Sequence, residues 1–248
     1  MKVEIDGLVI NEQPIAEKDK LVTILTSTMG VIRAFVRGAK NIRSSKCAAT
    51  QLLCYSKFNI YQSKDKYIVD DAYTVEMFVK LRTNVINMGY AQYFCELAMR
   101  LCPTGQSSND MLRLFLNGLY LLSTGKKDPL LVKACVEMRL LSMLGYMPDL
   151  VMCRHCGKYE DNSMYFIADS GNIICYKCLS DKRINSAEPL SVGVLRALRH
   201  TVYADFNKLF AFSLSQESLK ELNSATEQYL LYHTEYDFKT LQFLKVIK

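Results

Sequence analysis

The chain opens on short runs in which apolar and polar residues alternate. Segments at roughly 2–11, 20–27, 30–38, 51–62 and 66–74 are separated by turn formers, and their period of two is that of strands with one buried face. Five short strands with no long helix between them predict a small barrel, and a five-stranded OB-fold is preferred to an SH3-like fold. After Tyr73 the spacing lengthens to 3.6, placing Ile86, Tyr90, Tyr93, Phe94, Leu97 and Leu101 on one face of a helix that ends before Pro103. Two further helices are expected, one after a cap at Asn109 or Asp110 and one from Pro129. Both are so apolar, around 114–122 and 140–144, that they are expected to be largely buried.

The expected class is α+β and multidomain: a nucleic-acid-binding OB-fold at 1–79, then an all-helical domain at 80–248 with an inserted zinc ribbon at 149–182. Ser191 reads as the N-cap of a helix through His200, and Ser215 as that of a longer one with Leu219, Leu222, Ala225, Tyr229 and His233 along one stripe. Residues 240–247 read as a short extended tail.

Half of the residues are hydrophobic, enough for a real core. The longest apolar run, 111–122, is broken by Arg113 and falls short of the ~20 residues of a bilayer span. Glu4 and Asp6 stand where a signal peptide carries basic and then apolar residues. Of nine cysteines, Cys47, Cys54, Cys95, Cys102 and Cys135 are scattered through apolar patterns, the usage of reduced thiols. A cytoplasmic protein is expected.

The other four cysteines form two pairs, Cys153-Arg-His-Cys156 and Cys175-Tyr-Lys-Cys178, separated by eighteen residues. Two C-x-x-C knuckles at that distance supply four thiolates to one tetrahedral ion. Gly157 follows the first pair, and 164–167 with 171–174 read as a hairpin joining the two. One structural Zn2+ is expected, because four thiolates leave no open position for a substrate or water. His155 is not needed as a ligand. The alternatives are four reduced thiols without metal, or one redox-active pair.

Net charge is only +6, but no acidic residue occurs between Asp19 and Asp65, whereas Lys20, Arg33, Arg37, Lys40, Arg43, Lys46, Lys57 and Lys64 all do. In the third strand Ile32, Ala34 and Val36 face inward and Arg33, Phe35 and Arg37 outward; in the fourth, Leu52, Cys54, Phe58 and Ile60 oppose Tyr55, Lys57, Asn59 and Tyr61. Cations for phosphates beside rings for bases suit single-stranded nucleic acid. The loop 38–46 adds Lys40, Arg43 and Lys46. The candidate nucleic-acid-binding set is therefore Arg33, Phe35, Arg37, Lys40, Arg43, Lys46, Tyr55 and Lys57, with the competing reading that these charges are solvated and the rings pack within the protein; the residues alone do not separate DNA from RNA.

No catalytic residue is expected: H-E-x-x-H, the P-loop and the dinucleotide fingerprint are all missing from the sequence, and neighbouring Asp70 and Asp71 point to opposite faces of a strand. Two other readings remain, a zinc-ribbon scaffold for protein interactions and a zinc-dependent enzyme acting on nucleic acid.

From Gly7 to about Leu179 the chain resembles the RecO family of bacterial DNA repair and recombination mediators. The resemblance rests on Glu17-Lys-Asp-Lys-Leu-Val-Thr-Ile-Leu-Thr26, Gly30 and Arg37-Gly-Ala-Lys40, on Tyr90, Tyr93 and Glu96-Leu97, and on Met138-Arg-Leu-Leu-Ser-Met-Leu-Gly-Tyr-Met-Pro-Asp149 running into Cys153-Arg-His-Cys-Gly157. It implies an OB-fold fused to a helical domain, binding to single- and double-stranded DNA, and annealing of complementary strands. It also implies partnership with RecR and with the single-strand DNA-binding protein in loading the recombinase, and a place beside the nucleoid. Beyond about residue 190 only helical character is shared.

Overall fold

The structure, a computed structural model, describes residues 2–15, 17–41, 43–63, 66–180 and 187–247. Lys64 of the basic run, Ile42 of the basic loop and Asp181 and Lys182 at the end of the cysteine insertion lie outside the described residues. The chain forms two compact units, Met1–Lys126 with Phe238–Lys248, and Lys127–Asp237. Periodicity changes near residue 80, whereas tertiary contacts group the helices up to Lys126 and the last helix with the barrel.

Five strands, β1 (Lys2–Pro14), β2 (Lys20–Thr26), β3 (Gly30–Val36), β4 (Tyr55–Ser63) and β5 (Lys66–Glu76), close into a barrel of order β1-β2-β3-β5-β4. β3 and β5 are parallel and the other pairs antiparallel, with β4 returning to β1. This is the OB-fold. Alternate residues of the strands, among them Val22, Ile24, Ile32, Ala34, Val36, Phe58, Ile60 and Val69, fill its interior. Leu8, Ile10 and Leu25 are also buried, because α2 (Val85–Leu101) and α3 (Asn109–Thr124) lie against the outside of β1 and β2.

Three local expectations are corrected. The fourth strand begins at Tyr55, not at residue 51: the chain turns at Leu53, whose φ is 65°, so neither Leu52 nor Cys54 is a strand residue. The basic loop 38–46 runs into a short helix, α1 (Ser45–Ala49), with the Ser44 hydroxyl accepting from Lys46 N and Ala49 fully buried at the barrel's end. The tail is a helix, α8 (Lys239–Val246), rather than an extended strand. Leu241 and Leu244, three apart, are buried, and Leu244 packs over Gly89 of α2, where a Cβ would come within 2.9 Å of Leu244 Cδ2. The Glu96 carboxylate accepts from Lys239 N and Thr240 N and so caps that helix. A helix of eight residues shows too few turns for its period to stand out.

In α2 the Asn84 side chain accepts from Asn87 N, a cap that contributes about 1 kcal/mol. Tyr90, Tyr93, Phe94 and Leu97 are buried as the pattern implied, but Ile86, in the first turn, is exposed.

The second unit packs α4 (Pro129–Met143) against α6 (Val192–Tyr203) and α7 (Gln216–Thr234). Lys133 of α4, 1% exposed, lies 2.9 Å from Glu137 and 3.0 Å from Glu227, and Thr226 donates to Glu137 at 2.8 Å. Burial alone would lower the Lys133 pKa; the two carboxylates outweigh it and hold the ammonium charged. His233, last on the α7 stripe, is surrounded by the rings of Tyr229, Tyr146 and Tyr232 at 4.2, 5.4 and 5.5 Å. Burial lowers its pKa, opposed by a backbone bond with Ala168 and the charge of Asp169.

A depressed histidine pKa means that the unfolded chain binds the extra proton, so stability falls as pH drops through the unfolded value of ~6.5. Denaturant melts between pH 7.5 and 5.5 should therefore show a steeper loss of stability for the natural chain than for His233→Gln. Parallel slopes would remove His233 from the pH dependence.

Candidate metal centre and barrel face

β6 (Met164–Ile167) and β7 (Asn172–Cys175) form the expected antiparallel hairpin. A third strand that periodicity did not reveal, β8 (Ala187–Leu190), pairs with the other edge of β6. Four residues with Pro189 among them carry too little pattern to read as a strand. The first knuckle is closed by Cys153 N donating to Lys158 O at 2.8 Å and Gly157 N donating to Cys153 O at 2.9 Å. Gly157 has φ +71°, where a side chain would be strained. Cys175 ends β7 and Cys178 follows one turn later in α5 (Tyr176–Ser180).

All four sulfurs lie within 4.8 Å of one another, and Cys156 Sγ stands 3.6 Å from Cys175 Sγ. Zinc–sulfur bonds of about 2.3 Å in a tetrahedron require sulfurs about 3.8 Å apart, so the cluster fits a tetrahedral metal. Burial would push the Cys153 thiol up, but N–H groups of Cys175, Cys156 and His155 aimed at its sulfur bring it down to about 6. Cys178 is pushed up to about 12, first by its hydrogen bond with Cys175 and then by that with Cys156. The Cys153 sulfur is thus readied to ionise, and four thiolates at this spacing need a cation between them. By contrast Cys95 and Cys102 are pushed up to about 12 by burial alone. They behave as small hydrophobes.

On the barrel, the candidate residues divide. Phe35 on β3 is half-buried, flanked by Leu21 of β2 and Ile68 of β5, and Lys66 Nζ lies 5.8 Å from its ring centroid. Phe35, Arg37, Lys66 and Ile68 line a cavity of about 280 Å³ together with Ile15 and Asp19 of the β1–β2 turn. Gly38 N donates to Asp19 at 2.9 Å and Lys40 N to Lys18 O at 3.3 Å, so the 38–40 turn is held beside that cavity. Outward on β4, Tyr61 faces Ile68, which extends the apolar row from Phe35.

Arg33 lies about 13 Å from Arg37 along the strand at ~3.3 Å per residue. It borders a separate cavity of about 570 Å³ with Asn11, Gln92, Glu96 and Arg100. Tyr55 and Lys57 are not brought to Phe35: β5 stands between β3 and β4, and their neighbour is Asp6 of β1, opposite Lys57. Burial and then the Asp6 charge raise the Tyr55 pKa. Arg43 is exposed, its N–H bonded to Asn41 Oδ1 at 3.1 Å, and Lys46 is half-buried in α1 close enough to Asp71 to lower that carboxyl, after the larger effects of Tyr73 and Ser45. Lys66 and Ile68 were not in the expected set, because they reach Phe35 only through the parallel β3–β5 pairing. The OB strand order, once chosen, contained that neighbour relation.

Fold and site together define a class: a protein headed by an OB barrel, helical beyond it, with a pair of cysteine knuckles that can hold a metal ion. The family model for Recombination protein O N terminal matches residues 1–78, and that for Recombination protein O C terminal matches residues 82–242. The chain is 34% identical over 241 residues to the DNA repair protein RecO of Acetivibrio thermocellus, covering 97% of this chain and 95% of that one. It is 30% identical over 247 residues to the DNA repair protein RecO of Symbiobacterium thermophilum, covering 98% and 97%. The chain belongs to the RecO family of DNA repair proteins. Among the described residues no helix is long and apolar enough to cross a membrane.

Proposed function

We propose that this chain is a DNA-binding recombination mediator: its N-terminal part, residues 1–79, binds single- and double-stranded DNA, and the protein anneals complementary strands. With RecR it then helps load the recombinase onto DNA coated by the single-strand DNA-binding protein. The observation that carries the reading is the juxtaposition of Phe35, Arg37 and Lys66 at one cavity of the barrel. That cavity lies on β3 with the β1–β2 turn on one side and the start of β5 on the other, the face by which OB-folds take oligonucleotides. A ring at the floor and cations at the rim supply a stacking platform and phosphate neutralisation together.

No bond is broken in annealing, so no catalytic residue is assigned. Cations bring two phosphate backbones together and base pairing supplies the net free energy. The cysteine cluster holds one structural zinc through Cys153, Cys156, Cys175 and Cys178, and the metal's contribution is local fold. Work on the chromosome places the protein in the cytoplasm beside the nucleoid.

The test is anisotropy of a labelled single-stranded oligonucleotide, with strand pairing followed by energy transfer, at 50 and 200 mM salt and without nucleotide. Binding should weaken by at least ~50-fold across that range for four or more neutralised phosphates, since log K falls by about 0.7 per phosphate per decade and more for duplex. Affinity indifferent to salt, or pairing no faster than that of free strands, would sink the proposal.

A further inference from the structure

The first cysteine knuckle is held in place by a side chain that is not a ligand. Arg199 of α6 is 8% exposed and is inserted beneath the segment that carries Cys153 and Cys156. Its Nε donates to Leu150 O at 2.7 Å and its Nη2 to Val151 O at 3.0 Å, both just before the knuckle. The same Nη2 donates to Tyr159 O, just after it. The guanidinium carbon lies 4.0 Å from the centroid of the Tyr159 ring, and Nη1 stands 3.7 Å from Glu160 Oε2. Glu160 is in turn gripped by Arg196, three residues earlier on the same face of α6, at 3.0 and 2.7 Å.

Both ends of the knuckle therefore converge on one planar group, and the loop between them is drawn into a fixed span. We propose that Arg199 is a positioning residue for the metal centre, setting Cys153 and Cys156 at the cluster before the ion arrives. The inference rests on the reading of the four thiols as a metal site. Its physical basis is preorganisation: an ion entering a loop already ordered bears none of the cost of ordering it. Partners outside the ligand shell that orient ligands typically change metal affinity by 10–100-fold. A lysine cannot substitute, because an ammonium lacks the planar fork that serves carbonyls on both sides of the loop while stacking on a ring.

The test uses the full chain, natural and with Arg199→Ala or Arg199→Lys, in competition titrations of zinc against a chromophoric chelator. Cobalt-substituted spectra and thermal melts with and without metal complete it. Both variants should bind zinc 10–100-fold more weakly and release it faster, with a distorted cobalt–thiolate spectrum, and the gap between metal-bound and metal-free melting temperatures should narrow. If the alanine variant does not fold, the lysine variant carries the same expectation. Variants that bind zinc as the natural chain does, or that lose equal stability with and without metal, overturn the inference alone. A natural chain that binds no zinc overturns the metal reading beneath it.

Discussion

Replacing Cys175 by serine should empty the metal centre and unfold its surroundings. Cys175 is 1% exposed at the end of β7, its sulfur 3.6 Å from that of Cys156 and its backbone N donating to Cys153 Sγ at 3.4 Å, so it meets both cysteines of the other knuckle. Serine offers a poor ligand and leaves a buried hydroxyl where the sulfur stood. Structural zinc contributes about 10–16 kcal/mol of apparent folding free energy in isolated finger peptides. Here the loss is smaller, because the hairpin has apolar support of its own: Met164, Phe166, Ile173 and Ile174 are buried, and the Phe166 ring lies 5.4 Å from that of Tyr229. A destabilisation of at least ~3 kcal/mol is expected, about 10 °C in melting temperature, with zinc by elemental analysis falling from about one per chain to near zero. Cys47→Ser, in the other compact unit and not among the four clustered thiols, should change neither. Full zinc content in Cys175→Ser would remove that residue from the ligand set.

The knuckles were legible because their chemistry is local: three positions separate the sulfurs of each pair, and a hairpin of apolar alternation joins the pairs. The barrel was legible for a related reason, since each strand records its buried face in its own period. What escaped was non-local or too short. Lys66 meets Phe35 only because β5 runs parallel to β3, a pairing no window of sequence contains. Lys133 and Glu137, spaced as an ordinary i,i+4 surface pair, are buried with Glu227, ninety residues away on α7. Arg199 looks like a surface charge of a helix until the carbonyls of residues 150, 151 and 159 are seen around it. The tail illustrates the other limit: Leu241 and Leu244 fit a helix, yet eight residues contain barely two turns. In each case the missing information was which other segment would be the neighbour.

That neighbour relation sharpens the expectation for DNA. Phe35→Ala should weaken single-strand binding by about 5–150-fold, the equivalent of the ~1–3 kcal/mol by which a base stacks on a ring. Because no charge is removed, the slope of log K against log salt should be unchanged. Arg37→Ala with Lys66→Ala should lose ~10²-fold at low salt, with a slope shallower by about 1.4, since each phosphate contact on a single strand contributes about 0.7. Lys57→Ala should have a weaker effect than either, because Lys57 faces Asp6 across the β1–β4 ladder and its charge is already partly answered. The contrast separates a stacking floor from a phosphate rim within one cavity, measured by anisotropy at four salt concentrations. Should Lys57→Ala match the Arg37/Lys66 pair in both affinity and slope, the strand runs over β4 instead, and the cavity at Phe35 is a packing defect of the barrel. Should Phe35→Ala flatten the slope, the ring is acting through Lys66, 5.8 Å from its centroid, by holding that ammonium over the phosphate path rather than by receiving a base.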